Sequence, residues 1–240
     1  MPRFFCEYFE NHTYIDGDNG RHIAKSLRMR PGETLTVCDT KGTDYLCEIM
    51  EIAGDRVALK ILSATENKTE PTVNVTLFQC VPKSDKLELI VQKSVELGVS
   101  KIVPVLSAHC VSRPDEKARL KKLSRLQKIA DEAAGQSGRG KKPTVEGFVT
   151  FDEMLGQLEN FDEAILFYEL YGKPLKSLVS DSFKNIAVII GPEGGFSAKE
   201  AEKAEAAGAV LATLGKRILR TETAPLAALT GIMLLSGNLE

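Results

Sequence analysis

The chain has 240 residues and a formal net charge of −2, with 43% hydrophobic and 27% charged residues. These values are typical of an ordinary soluble globular protein with one large domain or two modest ones. No segment has the long uncharged apolar stretch of a membrane span, and the first residues lack the apolar core of a signal peptide. We therefore expect a cytoplasmic protein with no membrane partner.

The cysteines and histidines do not form the patterns of a metal site. Five cysteines are present, an odd number, and none belongs to a C-x-x-C pair. This pattern predicts reduced thiols, most of them buried, rather than disulfides or zinc ligands. The three histidines, His12, His22 and His109, are scattered without ligand spacing. We expect no metal.

The first seventy residues predict short strands separated by turns. Alternating or apolar runs occur at 34–38, 45–49 and 56–62, and one short helix is predicted near 22–29. Small strands at this spacing favour a compact antiparallel barrel. The polar segment 65–72 is the best linker candidate, so we predict one domain over 1–70 and a second over 71–240.

After residue 71 the pattern changes to strands that alternate with helices. Strands are predicted at 73–80, 101–105 and 164–167, with helices at 84–97 and 115–134. Alternation of this kind indicates an α/β fold, with a mostly parallel sheet and helices on both faces.

Positive charge is concentrated in one part of the chain. Between Arg113 and Lys142 there are ten Lys or Arg residues and four Asp or Glu residues, a local net charge of +6. Such a segment favours contact with a polyanion at one place. By itself, however, a charged run is more often only the solvated face of a helix.

Two glycine-marked segments near the C-terminus are the most informative feature of the chain. The segment 191–197 follows the apolar run 186–190, and the segment 214–224 follows apolar residues at 210 and 211. Both runs read as buried parallel strands, so both loops would lie at the carboxyl edge of the sheet, where open α/β sheets bind small molecules. Ser197 and Glu200 fit a capping box that would begin the next helix.

The second segment combines cations with an apolar pair. Lys216, Arg217 and Arg220 surround Ile218 and Leu219, where we expect the apolar pair to line a pocket. A helix start at 223–225 with nearby surface charges would also account for the cations. Neither a dinucleotide-binding glycine pattern nor a P-loop is present. The residues alone predict a ligand site near basic side chains.

Four motifs in order resemble one known family. Gly191-Pro-Glu-Gly-Gly-Phe-Ser197 and Leu214-Gly-x-x-Ile-Leu-Arg-Thr-Glu-Thr-Ala224 resemble the signature of RsmE, the methyltransferases acting on uridine N3 of small-subunit (16S) rRNA. The segments 86–98 and 129–139 are similar to two further motifs of that family. The segment 83–86 departs from the family pattern, which more often has a glycine after the first lysine.

This resemblance implies the fold, the cofactor and the partners. We expect a PUA-like RNA-binding barrel over 1–70 and a SPOUT domain with a trefoil knot over 71–240. The cofactor would be S-adenosylmethionine (SAM), the substrate 16S rRNA within the small ribosomal subunit, and the assembly a homodimer. The predicted SAM-binding residues lie on the two loops: Gly191, Pro192, Glu193, Gly194, Gly195, Leu214, Gly215, Ile218 and Leu219.

Individual roles are also predicted on this basis. Arg220 would stabilise the anionic uracil, because a permanent cation favours developing negative charge. Glu193 and Glu222 are candidates for binding the ribose hydroxyls. RNA would be contacted by arginines of the barrel and of the basic segment, namely Arg3, Arg21, Arg28, Arg113 and Arg139.

Two alternatives stay open at this point. One is a non-catalytic RNA-binding or ribosome-assembly protein that kept the fold, since a barrel and a basic helix serve equally well without catalysis. The intact pair of loops argues against it. The other is a SPOUT methyltransferase that acts on a different RNA.

Overall fold

The computed structural model describes residues 1–7, 9, 12–180 and 182–239. The chain divides into two units. Unit 1 contains Met1–Glu70 and Ala134–Lys142, and unit 2 contains Pro71–Ala133 and Pro143–Glu240. The sequence pattern did not place 134–142 with the first unit. The structure groups them because Glu70 accepts hydrogen bonds from the backbone N–H groups of Gly140 (3.0 Å) and Lys141 (3.1 Å).

Unit 1 is built on a five-stranded sheet. The strands lie in the order β1-β3-β4-β5-β2, and all neighbours are antiparallel except β1 and β3. Register shifts in the β4–β5 pairing, between Leu46 and Cys47 and between Ile49 and Glu51, bend the sheet. The five strands of this sheet are β1 (Arg3–Phe5), β2 (Tyr14–Ile15), β3 (Thr34–Cys38), β4 (Thr43–Ala53) and β5 (Arg56–Glu66).

A short helix lies between β2 and β3. Helix α1 (Gly17–Arg21) continues as one π-helical turn, His22–Ser26, so the helix begins earlier than the predicted 22–29. The helical residue Ile23 is fully buried and packs with apolar residues of the strands. This core of unit 1 also contains Phe9, Leu35, Val37, Ile49 and Val57.

Unit 2 contains a sheet in which every neighbouring pair is parallel. Its order is β11-β13-β10-β12-β6-β7-β8, and β9 also pairs with β7. The predicted parallel α/β architecture is therefore confirmed. The strands are β6 (Asn74–Cys80), β7 (Lys101–Leu106), β8 (Thr144–Val145), β9 (Val149–Thr150), β10 (Glu163–Phe167), β11 (Lys173–Pro174), β12 (Asn185–Ile190) and β13 (Val210–Thr213).

Among the described residues, four α-helices lie between these strands in the sequence and a fifth follows the last strand. They are α2 (Lys86–Glu96), α3 (Glu116–Gln136), α4 (Phe151–Leu155), α5 (Ala198–Ala206) and α6 (Ala224–Leu235). Helix α2 buries Leu87, Ile90, Val91 and Val95, which share one face at helical spacing. On α3 Leu126 is fully buried, whereas Leu120 is 64% exposed.

The strand order determines where the functional loops meet. Strand β10 lies between β12 and β13, and β6 lies on the other side of β12. Because all four strands are parallel, the loops that follow them open at the same edge of the sheet. Segments that are far apart in sequence, near residues 80, 168, 191 and 214, therefore come together there.

Candidate active site

A cavity of about 500 Å³ opens at this edge of the sheet in unit 2. Its walls are the loops that follow β10, β12 and β13, together with Lys86 from α2. The structure brings all of the predicted cofactor-loop residues to this one cavity, and Arg220 with them. They are Gly191, Pro192, Glu193, Gly194, Gly195, Leu214, Gly215, Ile218 and Leu219. Their roles toward a ligand remain predictions.

Gly195 keeps the first loop free of side-chain bulk. Its φ is +63°, in the region that favours glycine, and its N–H donates to the Pro192 carbonyl oxygen at 2.9 Å. A Cβ added at this position would overlap the carboxylate of Glu169 and lie 2.8 Å from its Cδ. A larger residue would therefore strain the turn and displace Glu169 from the cavity wall.

The helix that follows this loop begins as the sequence predicts. Ser197 Oγ accepts from the Glu200 N–H at 3.3 Å, and Glu200 Oε2 accepts from the Ser197 N–H at 2.9 Å. The predicted capping box is thus confirmed. The second oxygen of Glu200 accepts from the Ala108 N–H at 2.8 Å, which ties the start of α5 to the loop after β7.

A buried chain of hydrogen bonds joins the two loops. Thr221 Oγ1 donates to the Gly191 carbonyl oxygen at 2.8 Å and accepts from Gln79 Nε2 at 3.2 Å. Gln79 is fully buried in β6, and its Oε1 has no hydrogen-bond partner among the described residues. This polar chain fixes the spacing of the loops. It was not predicted, although a glutamine near the end of a buried strand was a signal.

Lys86 forms the centre of an ion cluster at the cavity. Its Nζ lies 3.1 Å from Glu193 Oε1 and 3.0 Å from Glu222 Oε2. Glu222 Oε2 is buried and accepts no hydrogen bond from the described residues. Its contact with Lys86 is therefore an ion pair without hydrogen-bond geometry. Glu193 also accepts from the Lys83 N–H at 3.2 Å. Lys86 begins the segment 86–98 that is similar to a family motif, but it is not among the predicted site residues.

The charges of this cluster support one another. The Glu222 and Glu193 carboxylates raise the pKa of Lys86, and the Lys86 ammonium lowers the pKa of Glu222. Burial by itself would raise the pKa of Glu193, but backbone N–H groups and Lys86 outweigh it and lower that pKa. At neutral pH the cluster is therefore one cation held between two anions.

Arg220 combines a fixed backbone with an exposed side chain. Its carbonyl oxygen accepts from the N–H groups of Thr223 (2.8 Å) and Ala224 (2.9 Å), at the start of α6. Thr223 occupies the N-cap position as predicted, but its side chain makes no capping hydrogen bond. The Arg220 residue lines the cavity and is exposed, so its guanidinium is available to a ligand.

The apolar pair of the second loop also lines the cavity. Ile218 is 83% exposed, although it is a large aliphatic residue, and Leu219 is half-buried. Exposed apolar residues at a cavity wall offer a surface against which a flat ring of a ligand can pack. This arrangement fits the expectation that the pair lines a pocket.

Two of the five arginines predicted to bind RNA are already paired inside unit 1. Arg3 makes two hydrogen bonds to the Asp44 carboxylate, at 2.6 and 2.7 Å, and donates to the Arg139 carbonyl oxygen at 2.8 Å. Arg139 is 4% exposed and donates to Glu70 Oε2 at 2.7 Å. Both guanidiniums therefore serve the structure of unit 1, which makes them weak candidates for phosphate contact.

The other three predicted RNA-binding arginines are exposed. Arg21 forms an ion pair with Asp18 at 3.0 Å, in which both side chains are well exposed. Arg28 has a positive φ of 53° and Arg113 donates to the Ser107 carbonyl oxygen at 2.8 Å. These side chains keep surface that a phosphate could reach.

All five cysteines are free thiols, four of them buried and Cys6 partly so. Among the described residues there is no cluster of three or more His, Cys, Asp or Glu side chains that could hold a metal ion. In the same part of the chain, no helix has the length and apolar character needed to cross a membrane.

Comparisons with known proteins agree with this site. A family model described as an RNA methyltransferase domain matches residues 68–233, and one described as an RNA methyltransferase PUA domain matches 15–62. The chain is 36% identical to ribosomal RNA small subunit methyltransferase E of Bacillus subtilis, over 97% of this chain and 96% of that protein. The chain belongs to the RsmE family.

A second relative and a solved structure agree with membership in RsmE. The enzyme of the same name from Mesomycoplasma hyopneumoniae is 35% identical over 96% of this chain and 98% of that protein. A crystal structure of the Neisseria gonorrhoeae RsmE bound to SAM superimposes with a TM-score of 0.88 at 34% identity, covering 98% of each chain. The predicted fold class, a SPOUT domain with a PUA-like N-terminal domain, is confirmed. So is the enzyme class, an rRNA methyltransferase, rather than a non-catalytic assembly protein.

Proposed function

We propose that this RsmE chain transfers the methyl group of SAM to N3 of a uridine in 16S rRNA. The observation that carries the proposal is the cavity between the glycine-rich loop 191–197 and the loop 214–224, which brings an apolar pair and cations to its wall. Its volume, about 500 Å³, lies within the range of small-molecule sites. The Neisseria relative, which superimposes over almost the whole chain, was solved with SAM bound.

The residues of the cavity fit this cofactor. A Cβ at Gly195 would fill space at the wall, and Gly191 and Gly194 add no side chains, so backbone N–H and C=O groups can approach a nucleoside closely. The exposed Ile218 and the half-buried Leu219 offer an apolar surface to the adenine ring. When bound, SAM supplies an electrophilic methyl group on a sulfonium.

Arg220 is the proposed catalytic residue. Attack by uracil N3 requires loss of its proton, and the resulting negative charge collects on the ring and its carbonyl oxygens. A guanidinium whose backbone is fixed by two hydrogen bonds at the start of α6 is well placed to stabilise that charge. Lys86 holds Glu193 and Glu222 in position. Glu193 lines the cavity, and we propose that its carboxylate accepts hydrogen bonds from the ribose hydroxyls, whereas Glu222 lies behind the wall and supports Lys86.

We further propose that RNA is bound mainly by the exposed arginines Arg21, Arg28 and Arg113. Contacts of this kind position a nucleic acid without choosing the base that is modified. Arg3 and Arg139 would act indirectly, by keeping unit 1 folded. The proposed substrate is 16S rRNA within the small ribosomal subunit, in the cytoplasm.

A homodimer is also part of the proposal. Exposed apolar residues at the end of α6, Leu234 and Leu235, and Leu89 on α2, are 59%, 40% and 46% exposed. Exposed aliphatic side chains in neighbouring elements of one unit favour contact with a second copy. Light scattering at several protein concentrations would show whether the chain is a dimer.

The target base is tested by nucleoside mapping of rRNA from a strain that lacks the gene. We expect one 3-methyluridine to disappear from 16S rRNA, and the wild-type gene to restore it. A complete set of 16S 3-methyluridines in the deletion strain, with a modification missing elsewhere, would show that a different RNA is the target.

A further inference from the structure

We infer that Glu169 is a specificity-determining residue that distinguishes the positively charged methyl donor from the neutral product. This inference rests on the proposed function, because it concerns the same cavity and the same cofactor. Glu169 belongs to neither of the two glycine-marked loops and is not among the predicted site residues.

The position of Glu169 follows from the order of the strands. It lies just after β10, which pairs with β12 on one side and with β13 on the other. The β10 loop therefore lies between the two loops proposed to hold the cofactor. Glu169 lines the cavity, and its carboxylate lies directly against the α-carbon face of Gly195.

The charge of Glu169 is not compensated as that of its neighbours is. Glu193 and Glu222 share the ammonium of Lys86. Glu169, by contrast, forms neither a hydrogen bond nor a salt bridge within the described part of the chain. An ionised carboxylate at a cavity wall without a cationic partner is available to a cation of the ligand.

The donor and the product differ by one charge. SAM carries a sulfonium, whereas S-adenosylhomocysteine (SAH) has a neutral thioether at the same place. The α-ammonium, the carboxylate and the ribose hydroxyls are the same in both molecules. A carboxylate close to the sulfonium therefore strengthens donor binding and leaves product binding almost unchanged. In this way Glu169 would favour replacement of spent product by fresh donor.

The test is a calorimetric titration of SAM and of SAH, in separate experiments, into the wild-type chain and into Glu169→Gln. The amide has nearly the same shape and removes only the charge. We expect SAM affinity to fall about tenfold, the size typical of a partly solvated charge interaction, and SAH affinity to change by less than about twofold. Glu205→Gln, on the exposed side of α5, is the matched control and should change neither affinity.

Salt provides a second measurement. In the wild-type chain the ratio of SAM to SAH affinity should fall as ionic strength rises, because salt screens the interaction with the sulfonium. In Glu169→Gln this ratio should depend less on salt. Unchanged thermal unfolding of the variant would show that the substitution leaves the fold intact, as expected for an exposed side chain.

Two results would overturn the inference while leaving the proposed function in place. Equal losses of SAM and SAH affinity in Glu169→Gln would show that Glu169 contacts a group that both molecules share, such as the ribose or the α-ammonium. Unchanged affinity for both molecules would show that Glu169 is a solvated residue at the cavity wall that does not contribute to binding. Failure of the wild-type chain to bind SAM would instead overturn the proposed function, and the inference with it.

Discussion

The arginines of unit 1 and Arg220 of unit 2 look alike in the sequence, but the structure uses them differently. Arg3 is partly buried and Arg139 fully so, and their guanidiniums pair with carboxylates that lie 41 and 69 residues away along the chain. Arg220 is exposed at the cavity, and its backbone is fixed by two hydrogen bonds at the start of α6. The role of an arginine therefore depends on partners that are far away in the sequence and that only the fold brings close. A buried, paired guanidinium holds the fold, and an exposed one on a fixed backbone is available for chemistry.

The largest effect is expected for Arg220→Ala, which tests whether the exposed guanidinium takes part in the reaction. If the guanidinium stabilises the uracil anion, the methylation rate should fall about 10²–10³-fold, as for other donors to a developing oxyanion. SAM affinity should stay within about twofold, because the interaction strengthens only as the charge forms. Single-turnover methylation and calorimetry measure the two quantities. Arg217→Ala, on the same loop, is the control for loss of charge, and an equal rate loss there would contradict a specific role for Arg220.

The next prediction concerns the opposite member of the comparison, Arg139. Arg139→Ala removes a buried guanidinium and leaves the largely enclosed Glu70 carboxylate without it, so the free energy of unfolding should fall by about 3 kcal/mol. Urea denaturation measures this change. Arg21→Ala, which breaks an ion pair between exposed side chains, should change it by less than about 0.5 kcal/mol. Equal losses of unfolding free energy in the two variants would show that burial of an arginine does not determine its contribution to stability.

Parts of the site were predictable from local signals, and other parts were not. The capping box at Ser197 and the two glycine-marked loops are written within a few residues, so the sequence pattern identified them. Gln79 reaches Thr221 across 142 residues, and Lys86 reaches Glu193 through a cluster that no local spacing reveals. Such contacts depend on the strand order, which places β6 beside β12.

The fold shows the same limit. Long periodic elements such as α2 were predicted nearly to their ends. The strands β8, β9 and β11 have two residues each, too few for a periodic signal. The identification of a PUA domain and a SPOUT domain came from the motifs, since neither the order of the strands nor a knotted path of the chain follows from periodicity.

A smaller effect is expected for the hydrogen bonds between the loops. Thr221→Val keeps the shape but removes the donor to the Gly191 carbonyl oxygen and one of the two acceptors of Gln79 Nε2, which keeps its bond to the Cys80 carbonyl oxygen. The free energy of unfolding should fall by about 2 kcal/mol, and SAM affinity should fall with it as the spacing of the loops relaxes. Thr223→Val, two residues further along, is the control because the Thr223 side chain makes no capping hydrogen bond. If Thr221→Val changes neither the free energy of unfolding nor SAM affinity, Thr221 does not fix the spacing of the loops.

The smallest effect is expected for the exposed arginines of unit 1. Replacing Arg21 and Arg28 together by Ala should lower RNA affinity several-fold and reduce its salt dependence, by a slope of up to about 2 in log units. The base that is methylated should not change, because phosphate contacts carry no sequence information. Filter binding over a range of salt concentrations measures the slope. A slope equal to that of the wild type would remove this surface from RNA binding.

The central claim is that the two loops form the SAM site, and calorimetric titration of SAM into the wild-type chain and into Gly195→Val tests it most directly. We predict one SAM bound per wild-type chain and no measurable binding to the variant. A branched residue at φ +63° strains the turn and displaces Glu169 from the cavity wall. Circular dichroism would check that the variant stays folded. Equal SAM affinity in a folded Gly195→Val chain would contradict the claim.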